Sequence, residues 1–197
     1  MHAQRLVLAC EAHQAARLVR TMDATLADAL ASVPYSSSMT MALGFERRRL
    51  GAIPQGFGFL VPKKERRRLV ACTFVGTKFS HRIPDDVVLL RCFLGGTGGD
   101  TVLAESDASL TAGVLEELHA MIGLKAAPLF TRIYRWPHSM AQYIVGHSAK
   151  MKEIDERLRL TSGLHLAGNA YQGIGIPDCI RTGKLAAEKL IGTSVAP

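Results

Sequence analysis

The stretch LHLAGNAYQGIGIPDCIRTGKLAAEKL, Leu164–Leu190, decides the reading of this chain. A short apolar run, Gly163–Ala167, reads as a buried strand and ends at Gly168. A loop containing Gly173 and Gly175 follows, and the spacing then predicts a helix over Ile176–Ile191. Pro177 suits the first helical turn, where its missing N–H costs nothing, and Asp178 sits favourably near the positive helix end. The two glycines allow backbone to approach a ligand closely, and the helix N-terminus offers unpaired N–H groups to something electron-rich. Strand, glycine loop and helix occur in many α/β proteins, so the pattern alone does not identify a ligand.

Upstream of this unit, Val145–Leu158 reads as a helix and PLFTRIYRWP, Pro128–Pro137, as a strand closed by Pro137. Asp107–Ile122 is predicted as an amphipathic helix with Leu110, Val114, Leu115, Leu118 and Met121 along one side. Four segments before it read as strands: Ser36–Glu46, Gly56–Pro62, Arg68–Gly76 and Val87–Gly96. Turns that are basic or contain Pro and Asp separate them, which suits one antiparallel sheet. At the start, Arg5–Cys10 reads as a short strand. Ala12–Ser32 reads as two helices divided at Asp23, the second ended by Pro34. The opening strand has no partner strand before it, so either it is an edge strand or its neighbours lie outside this sequence.

Composition narrows the class. At 197 residues, with 48% hydrophobic residues and mean hydropathy +0.13, the chain can fill a core, which excludes a disordered protein. No apolar run approaches the roughly 20 residues that span a bilayer. Glu11 and His13 interrupt the early apolar run, which disfavours a signal peptide, so a cytoplasmic protein is expected. Cys10, Cys72, Cys92 and Cys179 lie far apart, and the seven histidines are equally scattered; free thiols and no metal site are expected. The net charge of +7 comes largely from Glu46–Arg49 and Lys63–Arg68. Solvated loops are the first explanation of these runs. Peripheral contact with anionic headgroups at the inner face of a membrane is the second, and nucleic acid, for which no motif is present, the last.

The wording of the closing segment is closer than the generic pattern. AGN followed by GxGIPDCI and a small-residue helix resembles the C-terminal flavin-binding motif of bacterial protoporphyrinogen oxidases, members of the amine-oxidase-like flavoprotein superfamily. RWPHSMAQYIVGH (Arg135–His147), GFGFLVP, the turn at Lys78–Asp86, CFLGG (Cys92–Gly96) and RLVLACEAHQAARLV are similar to further family segments in the same order.

The resemblance implies FAD-dependent oxidation of protoporphyrinogen IX to protoporphyrin IX in haem biosynthesis, with molecular oxygen as final acceptor. Coproporphyrinogen III oxidation, or a non-catalytic porphyrin- or partner-binding module, are the alternatives. It implies an α+β or mixed α/β fold, the C-terminal part of an FAD-linked oxidoreductase. Elements of the FAD-binding domain would fall in 1–34 and 128–197, and the substrate-domain sheet and helix in 35–127. Gly168 and Asn169 would lie by the ribityl and pyrophosphate part of FAD. Gly175, Ile176 and Pro177 would face the flavin pyrimidine, and Trp136 would pack near the isoalloxazine. Leu60 and Phe93 would line the porphyrinogen slot, with Phe59 and Phe74 as weaker candidates; no catalytic acid or base is implied. Each has a plainer reading: Asn169 as a turn residue, Trp136 as core or interface, Leu60, Phe93, Phe59 and Phe74 as ordinary core.

One family feature is missing. A strand–GxGxxG–helix unit with an acidic residue about 20 positions later would hold the ADP half of FAD, and no such unit is found here. GGTGG, Gly95–Gly99, follows a strand but reads as a turn. The family's propionate-binding arginine also lies upstream. A separate N-terminal half is therefore expected as partner, and FAD affinity without it should fall by orders of magnitude.

Overall fold

The structure is a computed structural model that describes residues 3–51, 53–95 and 100–192. Most of the GGTGG turn lies outside the described residues. The chain forms two compact units, Met1–Tyr35 with Ala141–Pro197, and Ser36–Met140. By packing, the divisions fall after residues 35 and 140.

In the first unit, β1 (Leu6–Leu8) pairs in parallel with β7 (Leu164–Leu166), Leu6 opposite Leu164. The first residues and the closing segment thus build one sheet. Helices α1 (Ala12–Val19) and α2 (Ala24–Ala31) are divided at Asp23, as the sequence reading expects. The physical reason is capping: the Asp23 carboxylate accepts the Leu26 N–H at 2.9 Å and starts the second helix. Alanines 12, 15 and 16 with Val19, Leu26 and Leu30 form a core that also takes Ile154. Ile154 is the one fully buried residue of α6 (His147–Leu160). That helix starts two residues later than predicted because Gly146 takes a left-handed conformation, φ 91°, at its N-cap. Helix α7 (Ile176–Ile191) has the predicted bounds and buries Thr182 and Ala186.

The second unit is a five-stranded sheet in the order β3-β4-β5-β2-β6. Its strands are β2 (Tyr35–Glu46), β3 (Gly58–Leu60), β4 (Leu69–Phe74), β5 (Val87–Gly95) and β6 (Phe130–Ala141). Pairing is antiparallel for β2–β5, β3–β4 and β4–β5. A single helical turn, α3 (Val75–Lys78), takes over where strand was expected to run to Gly76; another, α4 (Asp100–Leu103), follows β5. Helix α5 (Asp107–Ile122) covers one face, its Leu110, Val114 and Leu118 packed on Met39, Met41, Leu43, Phe45, Leu90 and Leu94. Each such buried side chain contributes roughly 1.5–3 kcal/mol. Ser106 caps the start of α5 through the Ser109 N–H at 3.2 Å, and Gly123, φ 70°, ends it. Buried Glu117 accepts the N–H groups of Arg68 and Leu69, both at 2.9 Å, and so fixes the start of β4 to the helix.

Pro137 does not close its strand: β6 continues through it to Ala141. As the edge strand, β6 has a side without a neighbour, where a residue lacking N–H is tolerated. His138, at φ 46°, re-enters the pattern by donating its N–H to Ser37 Oγ at 3.1 Å.

Candidate functional site

The first cluster of site residues lies between β7 and α7. Gly168 (φ 124°) and Gly173 (φ 120°) occupy backbone conformations that favour glycine. A Cβ at Gly173 would overlap the Asp178 carboxylate, so the loop folds back onto the first turn of its own helix. Gly175 is the N-cap, no side chain caps it, and Cys179 N–H closes the first helical bond on its carbonyl at 3.0 Å. Ile176 is 77% exposed beside Pro177. The helix therefore presents an uncapped N-terminus and an apolar rim, which suits an electron-rich ring.

Two side chains with no role in the sequence reading hold this loop. The Tyr143 hydroxyl donates to the Asn169 carbonyl at 2.9 Å and accepts the Gly173 N–H at 2.8 Å. Its ring stacks on His147, centroids 3.7 Å apart, and His147 Nε2 lies 3.2 Å from the Tyr171 carbonyl. Burial pushes the Tyr143 phenol above its ordinary pKa. Arg181 closes the far side through the Gln172 carbonyl at 2.7 Å and Asp178 at 3.2 Å. Both Tyr143 and His147 belong to the quoted RWPHSMAQYIVGH stretch, but nothing local shows that they reach a loop some 24 to 30 residues away. A cavity of about 430 Å³ between α6, β7 and α7 is lined by Tyr171 and Gln172; Gly168, Asn169, Gly175, Ile176 and Pro177 do not line it.

The second cluster occupies the sheet face opposite α5. Register pairs Thr40 with Phe93, Phe93 with Ala71, and Ala71 with Leu60. Directly paired residues point to one side, so Phe93 and Leu60 share a face. Trp136 joins the same row through its indole N–H, 3.4 Å from Thr40 Oγ1. Tyr134 stacks on Trp136 at 6.4 Å between centroids. Phe130 covers Gly44, where a Cβ would overlap its ring. Leu60 is 82% exposed and Trp136 half-exposed, so neither is core. Phe59 and Phe74 turn to the opposite, packed side, their rings 6.1 Å apart. The face can receive a flat apolar ligand.

Comparison with known proteins identifies the family. Residues 1–191 match the flavin containing amine oxidoreductase family, and the chain belongs to it. It is 34% identical over 158 residues to a coproporphyrinogen III oxidase of Bacillus subtilis, covering 80% of this chain and 34% of that protein. A coproporphyrinogen III oxidase of Propionibacterium freudenreichii is 30% identical, covering 98% of this chain and 36% of the relative. A solved structure from Exiguobacterium sp. 255-15, assigned to the protoporphyrinogen oxidases, superposes with TM-score 0.85 at 28% identity, covering 98% of this chain and 42% of that one. Cyclohexylamine oxidase from Brevibacterium oxydans shares the fold, with TM-score 0.67 at 17% identity over 98% of this chain and 43% of that one. The chain thus spans about a third of the length of these curated relatives.

Proposed function

We propose that the chain forms the flavin-ring and substrate-facing portion of an FAD-dependent porphyrinogen oxidase of haem biosynthesis. The observation that carries this reading is the row Leu60–Ala71–Phe93–Thr40–Trp136 across an open sheet face, in a chain that also holds the uncapped glycine loop at α7. Coproporphyrinogen III is favoured over protoporphyrinogen IX, because the relatives cited at 30% identity and above carry that activity in their names.

The residues fit the cofactor. Gly168 and Asn169 would lie along its ribityl and pyrophosphate part. Gly175, Ile176 and Pro177 would set the positive helix end against the flavin pyrimidine, where negative charge collects on reduction. Trp136 would pack by the ring system, and Leu60 and Phe93 would hold the macrocycle flat. Bound flavin supplies the hydride-accepting chemistry, with molecular oxygen as final acceptor. The chain's own part is orientation and exclusion of water by apolar surface, and no side-chain acid or base is needed for it.

A polypeptide carrying the GxGxxG unit would complete the site. Exposed Leu6 on β1, and Ile176, Ile180 and Ile191 on α7, are apolar surface that such a partner would cover. The test is an FAD titration of the chain alone and mixed with the N-terminal portion of the Bacillus subtilis relative, followed by flavin absorbance and porphyrin fluorescence. Tight FAD binding and coproporphyrin formation only in the mixture are expected. Porphyrin uptake with no flavin binding in either sample would replace this reading with a non-catalytic porphyrin-binding module.

A further inference from the structure

We propose that Arg91 and Arg132 form a carboxylate-binding pair on the open sheet face, reading the propionate edge of the porphyrinogen; this rests on the function proposed above. Arg91 is the register partner of both Ala42 and Thr73, one row along the sheet from the row that contains Phe93. It therefore points to the same face as Phe93 and Leu60. Along β6, exposed Phe130, Arg132, Tyr134 and Trp136 alternate with half-buried Thr131, Ile133 and Arg135. Phe130 covers Gly44 and Trp136 reaches Thr40, so Arg132 lies on the open face beside the stretch of β2 that includes Ala42. Two strand spacings separate the arginines, about 10 Å between backbones.

Several other arginines of this unit already have partners. Arg48 and Arg49 pair with Glu46, Arg68 with Glu105, and Arg135 with Asp107. Arg47 bonds the carbonyls of Asp85 and Val87. Arg91 and Arg132 have no carboxylate partner among the described residues; the Arg132 side chain bonds the Thr131 carbonyl at 3.2 Å. Two unpaired guanidinium groups beside an aromatic row match a flat apolar ring with acidic substituents at its edge. Coproporphyrinogen bears a propionate on each pyrrole, so every edge it turns toward the pair offers a carboxylate. Protoporphyrinogen has propionates on only two, and its vinyl-bearing edge would leave the arginines unanswered.

The probes are coproporphyrin III, the stable oxidised form, and its uncharged tetramethyl ester, titrated into the chain in the same detergent buffer by fluorescence. Wild type should prefer the acid. R91Q and R132Q should each reduce that preference about tenfold, the worth of one charge-assisted bond. The double variant should erase it, while R91K and R132K should retain most of it. Far-ultraviolet circular dichroism confirms folding, and both side chains are exposed, so fold loss is not expected. Acid and ester binding equally to wild type, or a double variant that keeps the preference, would overturn the arginine pair and leave the apolar face standing. Failure of wild type to bind either compound would overturn the face itself, and the pair with it.

Discussion

The Tyr143 hydroxyl accepts the Gly173 N–H at 2.8 Å, and the same oxygen donates to the Asn169 carbonyl, so one phenol spans the glycine loop from end to end. Replacing it by Phe removes both bonds while keeping the stack on His147. Hydrogen exchange at the Gly173 amide should accelerate about fivefold, as expected for a bond worth about 1 kcal/mol. Burial raises the Tyr143 pKa, so the protonated phenol is favoured in the folded chain. Its stabilising effect is therefore complete below the ordinary value of 10.0 and is lost only as pH rises through the higher folded value. Amide exchange measured at neutral pH in both proteins checks the first point. Unchanged protection in Y143F would remove the clamp.

Asp23 gives the opposite pH sign. Its bond from the Leu26 N–H, followed by its contacts with Arg157 at 2.7 and 3.1 Å, holds the carboxyl below 3.8 despite opposing burial. A depressed carboxyl stabilises the fold above its unfolded pKa and loses that effect as pH falls through the folded value. D23A should lower the thermal midpoint by a constant amount at pH 5–7 and by less as the pH drops below about 4. Midpoints collected as a function of pH decide it.

Glu117→Ala leaves the buried Leu69 N–H and the partly buried Arg68 N–H without their acceptor. The cost should be about 2–4 kcal/mol. Urea denaturation is the measurement, and E117Q, which keeps one carbonyl acceptor, should recover part of the loss. Equal loss in both variants would show that the negative charge matters more than the hydrogen bonds.

Leu60→Asp should change stability by no more than about 0.5 kcal/mol, because the side chain is 82% exposed and holds no core together. Under the proposed function it should weaken coproporphyrin binding at the same time. A stability loss comparable to a core truncation would return Leu60 to its plain structural role.

Cys72 and Cys92 face each other across β4 and β5 with sulfurs 3.9 Å apart, both buried, while Cys10 and Cys179 are half-buried. The neighbouring thiol, then burial, pushes Cys92 far above the ordinary thiol value. A thiol reagent at neutral pH should titrate at most two groups in the native chain and four after denaturation. Fast native reaction of all four would contradict this packing.

Local and long-range interactions divide what is legible in the sequence from what is not. Helix bounds at Asp107–Ile122 and Ile176–Ile191 are legible because apolar periodicity and, in the second, Pro177 act within a few residues. Pro137 misled for the same local reason: the rule against proline in strands does not apply on an edge, and edge position is set by distant pairing. Tyr143 escaped notice because its phenol meets Asn169 and Gly173 only after the chain has passed through α6 and β7.

The sequence by itself determined the glycine loop, its helix and the family, since these are written in contiguous motifs. Only the tertiary structure decided that Leu60 and Phe93 share one row, that Trp136 reaches it through Thr40, and that Arg91 lies one row along on the same face. It alone paired β1 with β7. Strand register places side chains on a face, and register depends on how segments far apart in sequence pack together.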